Sequence, residues 1–538
     1  MKTMEGFNGL FTIVWCVWMC IILCHSSLGV DAARVREYDF HVGYFYKSVD
    51  CVQGAIIGIN GQFPGPTIRA EVGDTIDVAV TNKLYTEGTV IHWHGIRQYG
   101  TPWADGTASI SQCPINPGET FHYRFKLEDA GTFFYHGHYG MQRAGGLFGS
   151  IIVDLPEGQK EPFHYDDEIN LMLNDWWHKS ASEQELGLIS KLESFRWVYE
   201  PQTYRLRITS STSFVSLNLA IAVDGHYVEP FTVDKLDIYS GDTYSVLLNT
   251  DQNPNQNYWV TVGHREYNVS TTQALTLLNY NIISASILPS VPPPVIPPYH
   301  DYVQRKAFVK KIVALEGTPQ PPEYSQRRVL LLNTQDVING YMRMVINNMS
   351  LSLPGTPYLG AIKFGITDAF DWRAPPESFP AEDYNIYAPP PRNLDAFIGN
   401  RVYKFEFNQV VDVILQNANG FAKNTSIIHP WHLHGHDFWV LGYGEGKFKD
   451  GDDEKLFNLK NPPLRNSVVV FPYGWTALRF RANNPGVWSF HCHMEPHFVT
   501  GMGVVFAEGV EYVKGIPAEA LNCGQTRDYM LLNKKTHY

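Results

Sequence analysis

Residues 488–503 read WSFHCHMEPHFVTGMG, which places His491, Cys492, His493 and His497 within seven residues and Met502 shortly after. A cysteine between two histidines has a simple meaning on a β-strand, where successive side chains point to opposite faces. His491 and His493 then face one way and Cys492 the other. One strand can serve two metal sites, one on each side.

The side holding Cys492 gains His497 and Met502 from the residues that follow. One more histidine from a neighbouring strand would give two histidines, a thiolate and a weak axial methionine, the donor set of a blue-copper electron-transfer site. The side holding His491 and His493 needs partners from elsewhere. H-x-H pairs stand at 92/94, 136/138, 432/434, 434/436 and 491/493, whereas chance placement of 20 histidines in 538 residues gives fewer than one. Neutral imidazole suits copper, and no carboxylate triad competes for the role. Structural zinc is the other metal reading, but a closed four-ligand zinc site does not use one cysteine among so many histidines. Two sites joined through one strand make a wire. The thiolate site takes single electrons, and the histidine cluster collects them for a reaction that needs several, such as reduction of dioxygen to water.

The surrounding chain is β throughout. Alternating runs such as TIDVAVTN (75–82) and VVDVILQN (410–417) are punctuated by Pro, Gly and Asn, and long helical periodicity is scarce. The chain also repeats itself. PGETFHYRF (117–125) resembles YGWTALRFR (473–481), and GTFFYHGH (131–138) matches GVWSFHCH (486–493). Upstream of each lies a histidine cluster, IHWHG (91–95) and IHPWHLHGH (428–436). A third copy without one reads SGDTYSVLL (240–248) and NYWVTVG (257–263). These observations predict three consecutive β units at 34–155, 156–286 and 311–538, with a Pro-rich linker at 287–310 around ILPSVPPPVIPP.

Composition agrees. The chain is 44% hydrophobic and 14% aromatic, enough for several cores, and its net charge of −12 argues against a nucleic-acid partner. Residues 1–33 read as a secretory signal, with the apolar stretch LFTIVWCVWMCIILC (10–24) and a small-residue DAA before the mature chain. No later segment is apolar enough to span a membrane, so none is expected to hold the chain there after signal removal. The mature chain keeps Cys51, Cys113, Cys492 and Cys523, and sequons at Asn268, Asn348 and Asn424 suit the secretory path.

HWHGIRQYGTPWADGTASISQC (92–113), GTFFYHGHYGMQRAGGLFGS (131–150), HPWHLHGHDFWVLGYGEGKF (429–448) and HCHMEPH (491–497) resemble the multicopper oxidases. Within that family they are similar to plant ascorbate oxidases, over most of the chain. The resemblance implies three cupredoxin-like β-sandwich or barrel domains and four copper ions. Type 1 copper would take His429, Cys492, His497 and Met502. Type 2 copper would take His92 and His432. The type 3 pair would take His94, His136, His138, His434, His491 and His493, with His436 left over. It implies a secreted, apoplastic enzyme, and a homodimer is a possible assembly. Such an enzyme oxidises ascorbate or a similar small reductant and reduces dioxygen to water. Glu495 is similar in place to an acid that delivers protons, and Asp105 to a carboxylate near type 2 copper. Cys113 would pair with Cys523. The substrate ring would lie beside His497, between Trp197 and the residue that here is Met344, where the family has tryptophan.

The middle unit departs from the pattern. TYRLRITSS (203–211) follows RWVYEPQ (196–202) directly, without the strand and loop that precede TIDVAVTN in the first unit, so the middle domain is shortened. By resemblance the absent segment carried the partner of Cys51. Two other functions compete with ascorbate oxidation. One is a laccase-like phenol oxidase, disfavoured because plant laccases commonly have an aliphatic residue where Met502 stands. The other is a structural or catalytically defective cell-wall variant.

Overall fold

A computed structural model describes residues 34–49, 51–191, 217–233, 235–263, 274–298, 300–379, 384–390 and 395–534. The signal stretch, Trp197 and Asn268 lie outside the described residues. The chain is mostly β, as its alternation predicts, and its described strands form six sheets.

Between residues 35 and 154 there are two four-stranded sheets. In one, Val35–Val49 pairs antiparallel with Val52–Ile59 and parallel with Thr75–Asn82, which pairs in turn with Thr120–Lys126. The alternation of TIDVAVTN has its cause here: Ile76, Val78 and Val80 are fully buried, while the residues between them are only half-buried. The second sheet runs Ile68–Glu71, Phe148–Asp154, Gly131–Gly137, Ile91–His94. Phe40, Trp93, Tyr123 and Tyr135 fill the core between the two.

The C-terminal part is larger, with an eight-stranded and a five-stranded sheet. Val410–Asn417 lies inside the larger sheet and is buried at every position, as befits a strand covered on both faces. The five-stranded sheet runs Tyr403–Phe405, Gly503–Glu508, Gly486–Cys492, His429–Leu433, Ser467–Val470. It carries both histidine motifs of this part.

Among the described residues the middle of the chain has a three-stranded sheet of His226–Val233, Leu217–Val223 and Tyr244–Leu248, and a two-stranded one of Tyr258–Val262 and Ala274–Leu278. Helices are short, and no described helix is long and apolar enough to cross a membrane. A disulfide joins Cys113 to Cys523, and beside it the Cys113 amide donates to the Ala520 carbonyl at 2.8 Å. Cys51 is an exposed thiol at the turn between Val35–Val49 and Val52–Ile59.

Candidate metal centre

Four short strands supply most of the histidines, and register brings them together. His92 sits opposite His136 across one pair of strands, and His432 opposite His491 across another. Trp93 and Trp431, between the histidines of their strands, point away into the cores and are fully buried. Glycines close these segments where no other residue fits. Gly435 has φ +74°, and a Cβ there would lie 2.3 Å from the Trp488 ring. Gly106 has φ +76°, and a Cβ would lie 1.7 Å from the Ile91 carbonyl. That close approach presses Asp105 against His92.

The expected alternation along Gly486–Cys492 is present. Cys492 faces His429 and His497, whose Nδ1 atoms lie 3.8 and 3.5 Å from its sulfur. His491 faces the opposite way, with its Nε2 3.2 Å from His138 Nε2 and 3.1 Å from His434 Nε2. Ligand atoms converge in four groups: His429–Cys492–His497, His138–His434–His491, His92–His432–His434 and His92–His94–His136. Eleven of the twelve expected copper ligands are histidines or cysteine, and ten of these eleven fall in these groups. The other, His493, stands alongside, with its Nε2 3.1 Å from His94 Nδ1 and its Nδ1 3.0 Å from the Ser240 hydroxyl. Met502 lines the cavity over His429 and His497.

Hydrogen bonds fix the tautomers. His432 Nδ1 donates to the Asn466 carbonyl, His136 Nδ1 to that of Gly137 and His491 Nδ1 to that of Cys492, each at 2.9 Å. His92 Nδ1 donates to the Asp105 carbonyl at 2.7 Å, and His434 Nδ1 to the Asp105 carboxylate at 3.0 Å. These partners only accept, so the protons reside on Nδ1 and the Nε2 lone pairs point inward. Burial holds nine of these imidazoles neutral. It pushes His94, His136, His138, His429, His432, His434 and His493 well below the usual histidine value, His491 down to about 3 and His497 to about 4.

Lone pairs facing one another across 3.1–3.3 Å repel unless a cation lies between them. Two nitrogens bound to one metal at about 2.0 Å in tetrahedral geometry stand about 3.3 Å apart. Buried His136 Nε2 has no hydrogen-bond partner among the described residues, as a metal-directed nitrogen should. The donor set therefore fits copper: imidazoles in one cluster, and a thiolate with two imidazoles in the other.

Asp105 is fully buried between His92 and His434 and also accepts from the Thr107 hydroxyl at 2.9 Å. Glu495 accepts from the backbone amides of Arg143 and Ala144 at 3.1 and 2.8 Å, and burial pushes its carboxyl up to about 7. His436 is held by Glu508 at 2.9 Å, away from the four groups. Met344 borders a cavity of about 250 Å³ that reaches His429, His497 and Met502. Asn424 is exposed on the loop walling that cavity, and Asn348 is half-buried at a turn. Arg143, Ser240 and Ser467 escape sequence reading, although their side chains approach His493, His432 and His94. Arg143 and Ser240 lie within the quoted stretches 131–150 and 240–248, but no ligand-type spacing there marks them.

Multicopper oxidase family models match residues 41–158, 197–282 and 370–511. The L-ascorbate oxidase of Cucurbita maxima is 55% identical over 559 aligned positions, covering 94% of this chain and 96% of that one. The alignment is longer than the chain itself, so this chain lacks positions that relative has. Laccase-2 of Oryza sativa subsp. japonica is 31% identical, covering 90% of this chain and 94% of its own. The crystal structure of the laccase from Botrytis aclada superposes with a TM-score of 0.73 at 25% identity, covering 94% and 93% of the two chains. Likeness of sequence and fold runs through nearly the whole length, well beyond the ligand motifs, and the chain belongs to the multicopper oxidase family.

Proposed function

We propose that this protein is a secreted L-ascorbate oxidase. It couples one-electron oxidation of ascorbate to reduction of dioxygen to water. The observation that carries this reading is Cys492. Its sulfur meets His429 and His497 on one face, while its neighbour His491 enters the histidine cluster on the other. Likeness to an L-ascorbate oxidase well above likeness to a laccase favours ascorbate over phenols. The apolar stretch at 10–24 supports export.

Copper would supply one-electron acceptance at the thiolate site and multi-electron transfer to dioxygen at the cluster. His429, Cys492, His497 and Met502 would hold type 1 copper. His92 and His432 would hold type 2. His94, His136, His138, His434, His491 and His493 would hold the type 3 pair. The reductant docks in the cavity bordered by Met344, against the His497 imidazole. The hydrogen bond from His491 Nδ1 to the Cys492 carbonyl links the two sites over a few bonds. Asp105 orients His92 and His434. Glu495 keeps a carboxyl proton near neutral pH, beside the cluster.

The test is optical and enzymatic. Copper-loaded protein should be blue and consume oxygen with ascorbate. Cys492→Ser should lose the blue band and the activity yet retain copper in the cluster. An intense band surviving in Cys492→Ser would overturn the type 1 assignment, and faster oxidation of phenols than of ascorbate would favour the laccase-like reading.

A further inference from the structure

The middle part of the chain has no H-x-H pair, yet two of its turns press against the cluster. The first is Asp224–Gly225, joining Leu217–Val223 to His226–Val233 with φ values of +50° and +83°. An Asp-Gly pair readily adopts such a tight hairpin turn. Its tip wedges between the first and last parts of the chain. A Cβ on Gly225 would lie 2.5 Å from the Phe133 ring, and the Asp224 carboxylate meets the Arg465 Nε at 2.9 Å. The second turn is Ser240–Gly241–Asp242. Gly241 has φ +95°, and a Cβ there would lie 3.0 Å from the His493 ring and 3.1 Å from the Ser467 hydroxyl.

Between the turns lies Arg465. It is only 2% exposed, and it bridges Asp224 and Asp242 with two 2.9 Å hydrogen bonds. Asp224 also accepts from the Ser467 amide at 3.2 Å and the Thr243 amide at 3.0 Å. A buried guanidinium between two carboxylates is directional and costly to move, because a displaced charge would stay unpaired out of water. The next two residues along the chain, where it passes from the strand Leu464–Arg465 into Ser467–Val470, reach the ligands. The Asn466 carbonyl accepts from His432 Nδ1 at 2.9 Å. The Ser467 hydroxyl lies 3.3 Å from His432 Nδ1 and 3.3 Å from His94 Nε2.

We infer that Asp224 and Asp242 of the middle domain, acting through Arg465, are positioning residues that hold Asn466 and Ser467 against His432 and His94. The middle domain thereby sets the orientation of the cluster's imidazoles from outside, although it supplies none of them. The inference rests on the copper reading above, and it deepens it by giving the ligand-free domain a task in the reaction. It also says why a chain with a shortened middle domain would keep this hairpin and this turn.

The test compares Asp242→Asn, Asp224→Asn and Arg465→Lys with the parent protein, all loaded with copper. Each should keep the blue band, because the Cys492 site lies on the other face of its strand. Each should lose type 2 copper about 10–100-fold more readily to a chelator, the usual effect of removing a partner that orients a ligand. The type 2 electron paramagnetic resonance signal should change shape or disappear. Reduction of the blue centre by ascorbate without oxygen should proceed at the parent rate. Arg465→Lys decides the matter if the asparagine variants do not accumulate, since it keeps the charge but cannot span both carboxylates. Unaltered type 2 signal and copper retention in a folded variant would overturn the inference. A parent protein without four coppers or a blue band would instead overturn the functional reading.

Discussion

Asp105→Asn removes one charge and almost no volume, at a residue with no exposed surface. The His92 Nδ1–H bond goes to the Asp105 backbone carbonyl at 2.7 Å and survives the change. The His434 Nδ1–H bond goes to the carboxylate at 3.0 Å, where the Thr107 hydroxyl also donates at 2.9 Å. An amide oxygen turned toward both keeps them, but as neutral bonds. Its NH₂ then occupies the other carboxylate position, 3.3 Å from His92 Nδ1, where two donors oppose each other. Charged hydrogen bonds contribute about 1.5–3 kcal/mol and neutral ones about 0.5–1.5, so the loss at His434 is about 1–1.5 kcal/mol. That is about tenfold in binding or rate. Copper retained after dialysis against a chelator should fall at the cluster, with oxygen uptake about tenfold slower and the blue band intact. Asp105→Ala should be worse, approaching 100-fold, because no side-chain acceptor remains for His434 Nδ1. Full copper retention and turnover within twofold of the parent in Asp105→Asn would refute the idea that this carboxylate orients the ligands.

Met344→Trp should lower the KM for ascorbate about 2–10-fold at nearly constant kcat, because ring stacking contributes about 0.5–1.5 kcal/mol beyond area; unchanged or poorer kinetics would place Met344 outside the substrate's reach. Burial of Glu495 raises its pKa to about 7, so its proton is present below pH 7 and lost above. Turnover limited by oxygen reduction should therefore be level below that pH and fall about tenfold per unit above it, if this group delivers the proton. Glu495→Gln should be slower by about 10² or more and lose that dependence, and a Gln variant with the parent's pH profile would exclude the role. Cys523→Ser should cost about 2–5 kcal/mol of stability, since the bond to Cys113 closes most of the chain into one loop, and an unchanged denaturation midpoint without reductant would contradict this.

Much of the site is legible along the chain because a strand's side chains alternate. That periodicity belongs to a single strand and needs no neighbours, so HCH alone says that Cys492 and His491 serve different faces, and IHWH that His92 and His94 share one. The repeated strands and the Pro-rich linker are likewise local patterns. What no local pattern contains is which strand lies beside which. The 3.3 Å approach of His92 to His432 joins residues 340 positions apart. The tautomers depend on carbonyls of Asp105 and Asn466 that only folding brings near. Arg465, Arg143 and Ser240 look like ordinary polar residues until folding gives them partners. Hydrogen bonding and desolvation act over a few ångströms in space, whereas sequence orders residues only along the chain, so the donor types were written locally and their convergence was decided by sheet register and by the packing of one β unit on another.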